Sequence, residues 1–115
     1  MRVVASRMLI ILFVICLSAG LLPAQDFRAT ILRQVADKTG AAVPEATVVA
    51  TKNDTSENFT TKSNAEGMYS LPMLMPGAYT VTVEAIGFAK TVHPNITVSV
   101  DQKLNLNFAL ELKAV

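Results

Sequence analysis

One histidine, one cysteine, three serines in strand-like surroundings, a few scattered carboxylates and two tyrosines are the groups in this 115-residue chain that could do chemistry. A metal site around His93 would want two or three further ligands at close spacing, and none accompany it, so the residue beside Pro94 is expected at the surface. Asn64, Glu66, Asp54 and Glu57 carry oxygens suited to calcium, but no loop stacks three such ligands at alternating positions. They read as polar turn residues. Ser63, Ser70 and Ser99 lack the G-x-S-x-G setting of an activated nucleophile, and one distant histidine does not complete a triad. Tyr69, Tyr79 and Phe88 could stack against the apolar faces of a pyranose, yet the local alternation groups both tyrosines with valines and leucines, where a core role is expected. No catalytic, cofactor-binding or metal-binding residue is therefore assigned, and the sequence points to a protein that is not an enzyme.

The elements that would position any such group begin after an N-terminal export segment. Arg2 and Arg7 give a basic start, Met8 to Leu22 is apolar and uncharged, and Leu22-Pro23-Ala24 ends in the small residue that a signal peptidase needs. The run is about 15 residues, short of the roughly 20 that span a bilayer core, so residues 1–24 read as a cleaved signal-peptide helix rather than an anchor. Cys16 lies inside this run. Ile15 and Phe13 do not suit a lipidation site there, and the mature chain keeps no thiol for catalysis, disulfides or metal.

Residues 25–115 suffice for one domain and not two. The whole chain carries +1, and loss of Arg2 and Arg7 leaves eight basic groups against nine acidic ones. Nothing in that balance supports capture of nucleic acid or of an acidic membrane surface. An exported domain without disulfides depends on its core, which demands a well-patterned sequence.

That pattern is all-β. From Phe27 onward, runs rich in Thr, Val, Ile and Leu alternate with Gly, Pro, Asn and Asp clusters about every ten residues, the spacing of a sandwich or barrel of about eight short strands. The reading places strands at Thr30 to Ala36, Ala46 to Lys52, Phe59 to Ser63, Met68 to Leu71 and Tyr79 to Ala85. Two more, Lys90 to His93 and Ile96 to Val100, flank Pro94. The last contains Leu104, Leu106, Phe108, Leu110 and Leu112, which share one face because strand side chains alternate. Asp37-Lys38-Thr39-Gly40 and Asn64-Ala65-Glu66-Gly67 read as tight turns. Pro76-Gly77 fits a type II turn, with proline at its favoured φ and glycine free to turn positive.

Residues 67–88, Gly67-Met68-Tyr69-Ser70-Leu71-Pro72-Met73-Leu74-Met75-Pro76-Gly77-Ala78-Tyr79-Thr80-Val81-Thr82-Val83-Glu84-Ala85-Ile86-Gly87-Phe88, follow the pattern G-x-Y-x-L-x-x-L-x-P-G-x-Y-x-V-x-V-x-A-x-G-F. Upstream, residues 37–48 follow D-x-x-G-x-x-V-P-G-A-x-V, with Glu45 in place of the commoner Gly and Arg33 at another position usually held by Gly. In these two motifs the chain resembles carboxypeptidase regulatory-like domains over nearly all of its mature length. The resemblance implies a transthyretin-like, immunoglobulin-like β-sandwich of the superfamily also called starch-binding-like. It further implies a relation to the N-terminal extension of TonB-dependent outer-membrane transporters, whose closing sequence residues 108–115 resemble.

From that resemblance we expect an exported, non-catalytic accessory domain, periplasmic, outer-membrane-associated or secreted, with a protein partner at the cell envelope. A carbohydrate-binding module is the alternative, and no nucleic acid is expected. The chain is read as either a stand-alone copy or a truncated gene. An internal Lys to Asn isopeptide bond, as in related Cna-B-type adhesin domains, is not expected: Asn105 and Asn107 sit on the last strand, but the first offers no Lys and Glu84 faces outward. The N-glycosylation patterns at Asn53, Asn58 and Asn95 read as chance matches in a chain that resembles bacterial domains.

Overall fold

The computed structural model describes residues 27–114, so the expected signal segment and Cys16 lie outside the described residues. Within them the chain forms eight strands: β1 (Ala29–Asp37), β2 (Thr47–Lys52), β3 (Asn58–Lys62), β4 (Met68–Leu74), β5 (Gly77–Glu84), β6 (Thr91–Val98), β7 (Lys103–Asn105) and β8 (Phe108–Leu110). One sheet has β1 at its centre, paired with β4 on one side and with β7 and β8 on the other. The second runs β3-β2-β5-β6. Among the described residues no helix is long and apolar enough to cross a membrane.

Alternation builds the core. Tyr79, Val81 and Val83 of β5 are buried while Thr80, Thr82 and Glu84 face outward, and Val48 and Ala50 of β2 lie beside them. The first sheet answers with Ile31, Val35, Tyr69, Leu71, Leu74, Phe108 and Leu110. Removing such side chains from water contributes roughly 1.5–3 kcal/mol each before entropy is counted. Aromatic contacts tie the layers together. Phe108 lies 5.8 Å from Tyr69 in its own sheet and 4.9 Å from His93 of the other.

Several local expectations are corrected. The segments flanking Pro94 form one strand, because β6 accommodates one extra residue against β5 between Tyr79 and Val81. Asn95 there takes a left-handed φ of 57°. Being on the edge of its sheet, β6 can hold a proline without breaking a ladder. His93 is thus half-buried in a strand and packed edge-on to Phe108, where a surface residue is expected from sequence. β4 runs on through Pro72 to Leu74 rather than stopping at Leu71, and the expected Asn64–Gly67 turn carries the chain from β3 into the other sheet. Gly77 sits at φ 152°, away from the value near +80° of a type II turn, and its corner also switches sheets.

The last strand is broken. β7 and β8 both run parallel to β1 in one unshifted register, Leu32 opposite Asn105 and Val35 opposite Phe108, with a gap at Leu106 and Asn107. Its apolar face is as expected for Leu104, Leu106, Phe108 and Leu110, but Leu112 is exposed.

The motif glycine Gly67 has a packing reason. At φ +76°, a Cβ there would meet the Val35 carbonyl oxygen at 2.4 Å, and its own carbonyl accepts the Val35 N–H at 2.7 Å. Both positions where the family commonly has glycine and this chain does not are also at positive φ, Arg33 at 143° and Glu45 at 60°. Ile31, Arg33 and Val35 would share the inward face of β1 by alternation. The dihedral at Arg33 turns its side chain out to solvent.

Candidate functional site

The strands define two poles. β1 starts at one and β5 ends at the other, so the β1–β2 loop (38–46), the β5–β6 loop (85–90) and the tail after β8 gather at the far end of the sandwich. The tail crosses between the sheets here: Ala89 N–H donates to the Glu111 carbonyl at 2.8 Å and Lys113 N–H to the Gly87 carbonyl at 3.0 Å, with Phe88 opposite Leu112.

This tail pole carries two adjoining open clefts. One of about 380 Å³ is lined by Asp37, Lys38, Thr39, Leu110, Glu111 and Leu112. The other, about 290 Å³, lies between Val43-Pro44-Glu45 and Ala85-Ile86, with half-buried Phe88 at its floor. The loop exposes Ile86, at 102%, and the tail exposes Leu112, at 78%. Two large aliphatic side chains held in water by a hydrogen-bonded tail make an apolar contact surface. The Lys38–Glu111 ion pair borders it.

Electrostatics at this pole fix its loops. The Thr39 hydroxyl donates to the Asp37 carboxylate at 2.6 Å, joined by the backbone N–H groups of Thr39 at 2.9 Å and Ala41 at 3.0 Å. These donors, the hydroxyl foremost, hold the Asp37 carboxyl below its ordinary value. Lys38 does the same for Glu111, by hydrogen bond and then by charge.

The residues weighed for chemistry are otherwise spent within the fold. Ser63 is buried, donating to the Val43 carbonyl at 2.7 Å and accepting the Ala46 N–H at 2.9 Å. Ser70 and Ser99 are exposed on separate elements. Tyr69 and Tyr79 are buried as expected, their hydroxyls donating to the carbonyls of Leu106 and, at 2.6 Å, Met75. Burial pushes both phenols up in pKa. The Asn64 side-chain oxygen accepts the Glu66 and Met68 N–H groups at 3.0 and 2.9 Å, which is turn chemistry. Asn105, Asn107 and Glu84 are all exposed, and no Lys occurs on β1. Among the described residues no three His, Cys, Asp or Glu side chains converge as a metal set.

On the outer face of the second sheet, near the other pole, the three asparagines of the glycosylation patterns fall into one polar row. The Thr51 hydroxyl donates to Asn58 at 2.7 Å, the Thr80 hydroxyl to Asn53 at 2.8 Å, and the Asn53 amide to Asn95 at 3.4 Å. Neither this row nor the Ile86–Leu112 pair was assigned from sequence. An aliphatic residue between Ala85 and Gly87, in a turn where nothing requires one, was the available signal for Ile86.

The family model of the carboxypeptidase regulatory-like domain matches residues 30–111. No curated protein matches in sequence. Among solved structures, hydroxyquinol 1,2-dioxygenase from Pseudomonas putida is similar at a TM-score of 0.62 and 10% identity, over 78% of this chain and 58% of that one. The Bacillus anthracis TIE protein is similar at 0.61 and 16%, over 75% of this chain and 17% of that one. A Bacteroides uniformis protein assigned as carbohydrate-binding is similar at 0.59 and 19%, over 76% of this chain and 42% of that one. At these identities the likeness is one of fold, and the chain spans less than two thirds of each of the three.

Proposed function

This chain belongs to the carboxypeptidase regulatory-like domain family, matched over residues 30–111, and from that premise we propose that it is a non-catalytic accessory domain of the cell envelope that binds a protein partner through its tail pole. In this reading it is exported, resides in the periplasm or at the outer membrane, and is related to the N-terminal extension of a TonB-dependent transporter. The observation that carries it is the display at one pole of two exposed aliphatic residues, Ile86 in the β5–β6 loop and Leu112 in the tail, on backbone segments tied together by the Ala89–Glu111 and Lys113–Gly87 hydrogen bonds. Rigid aliphatic groups exposed in this way lose little entropy when a partner covers them. The test is a photoreactive residue placed at Ile86 in the exported protein and, as a control, at Thr60 on the outer sheet face. A discrete envelope-protein adduct from position 86 alone is the expected result. Equal labelling from both positions, or recovery of the protein in the cytoplasm, would overturn the proposal.

A second reading, carbohydrate binding, is favoured by the Asn58–Thr51 and Thr80–Asn53–Asn95 row and by the fold-level likeness to the Bacteroides uniformis protein. The row offers amides and hydroxyls of the kind that meet sugar hydroxyls, but the buried tyrosines cannot serve as the stacking platform. A polysaccharide screen in which binding is saturable and lost in Asn58→Ala with Asn95→Ala would replace the partner reading with this one.

A further inference from the structure

The pole opposite the tail exposes a second apolar set, which the partner reading does not use. Asp101 N–H donates to the Phe27 carbonyl at 3.2 Å, the Arg28 guanidinium lies 3.8 Å from the Met73 sulfur, and Ala29 stands opposite Leu74. Those contacts bring Phe27, Met73, Met75 and Val100 to one end of the sandwich, and all four are exposed, Met73 at 54% and Val100 at 64%.

Met73 is displayed at a conformational cost. β4 holds one more residue than β1 between the Leu71–Ile31 and Leu74–Ala29 pairs, and this bulge at Pro72-Met73 sets Met73 at φ 66° with its side chain in solvent. Bulges re-aim side chains, and an unbranched apolar residue gains nothing from the left-handed region that Asn or Gly would not gain more easily.

In the sequence, an apolar run leads into this pole. The apolar run Met8–Leu22 ends five residue steps before Phe27, at most about 18 Å of extended chain. Charges around the pole balance, with Arg28, Lys52 and Lys103 against Asp54, Glu57 and Asp101, so contact with a neutral surface costs no net repulsion. We propose that this pole is a membrane-contacting tip, seating Phe27, Met73, Met75 and Val100 in the interfacial region of a lipid bilayer while the preceding run engages that bilayer. The inference concerns the chain before any signal cleavage: it rests on residues 1–24 still being attached and engaging the membrane, and it is independent of the partner surface at the other pole.

The full-length chain carrying Cys16→Ser tests it, with one cysteine introduced as Val100→Cys or Ile86→Cys and labelled with an environment-sensitive fluorophore. Phosphatidylcholine vesicles containing nitroxide lipids are the probe. Quenching at position 100 should exceed that at 86 at least fivefold and should not need anionic lipid. Adding Phe27→Ser, Met73→Asn and Met75→Ser should cut it at least threefold while the β-rich circular-dichroism spectrum and flotation with vesicles persist. Equal quenching at 86 and 100 would overturn the proposal. So would quenching at 100 that survives the triple replacement, since the tether alone would then explain it, a fluorophore shift without vesicles, which marks self-association, or a chain that does not float.

Discussion

The side-chain oxygen of Asn107 accepts the backbone N–H of Gln34 at 3.1 Å, in the gap where β7 and β8 part. The parallel register continues unchanged across that gap. Leu106 N–H reaches the Leu32 carbonyl at 2.9 Å, and an unbroken ladder would next send the Gln34 N–H to the Leu106 carbonyl. That carbonyl is taken by the Tyr69 hydroxyl instead. Asn107→Ala should therefore cost about 1 kcal/mol, lowering Tm by roughly 4–8 °C, whereas Asn107→Asp keeps the acceptor and should lose less at neutral pH. Thermal melts of the two variants check this.

Glu45→Gly and Arg33→Gly should each stabilise the domain by about 0.5–1 kcal/mol. Each relieves a non-glycine residue at positive φ, and the gain is reduced by the greater freedom of glycine in the unfolded chain. Loss of the exposed Glu45–Lys62 contact, 4.0 Å long, subtracts little. A urea titration should show a higher midpoint with an unchanged slope.

Gly67→Ala should destabilise by about 2–4 kcal/mol. The new methyl would lie 2.4 Å from the Val35 carbonyl oxygen, a rigid backbone atom at the centre of the first sheet, and the residue would be strained at φ +76°. A fall in Tm of at least about 8 °C is the expected signature.

Ser63→Ala should cost about 1–3 kcal/mol, because it strands the Ala46 N–H and the Val43 carbonyl in a buried setting. Ser70→Ala, on the exposed side of β4, should change stability by less than about 0.5 kcal/mol. Equal effects in chemical denaturation would show that Ser63 is not load sharing with the β1–β2 loop.

Acid should loosen the tail pole first. The Asp37 carboxyl is held below its ordinary value of 3.8, and Glu111 below 4.5, so each contributes stability that is present above those values and is lost as pH falls through the lower folded ones. Tm should be flat above about pH 5 and fall below pH 4. In Asp37→Asn, whose amide cannot titrate, the fall should be shallower.

Much of this architecture is legible in the residue pattern because it is local. The alternation from Tyr79 to Glu84 and from Leu104 to Leu110, the Asn64–Gly67 turn and the burial of both tyrosines all follow from spacing. What escapes is decided by partners far along the chain. The break at Leu106 depends on a hydroxyl 37 residues away, and the continuity of β6 through Pro94 depends on its being an edge. Leu112 continues an alternation that elsewhere means core, and Ile86 stands in a turn. Only the path of the tail over Gly87 and Ala89 leaves them outside.

The parallel pairing of β1 with β7 and β8 has a consequence for synthesis. Every partner on that side of β1 lies 73 positions later, as Leu32 with Asn105 and Val35 with Phe108 show. A nascent chain leaving the ribosome thus carries its first strand with one flank unzipped until residues 103–110 have been made. Such long-range closure is slow compared with local hairpin formation, which keeps the emerging polypeptide threadable for longer. Truncation anywhere before Phe108 should leave it permanently so.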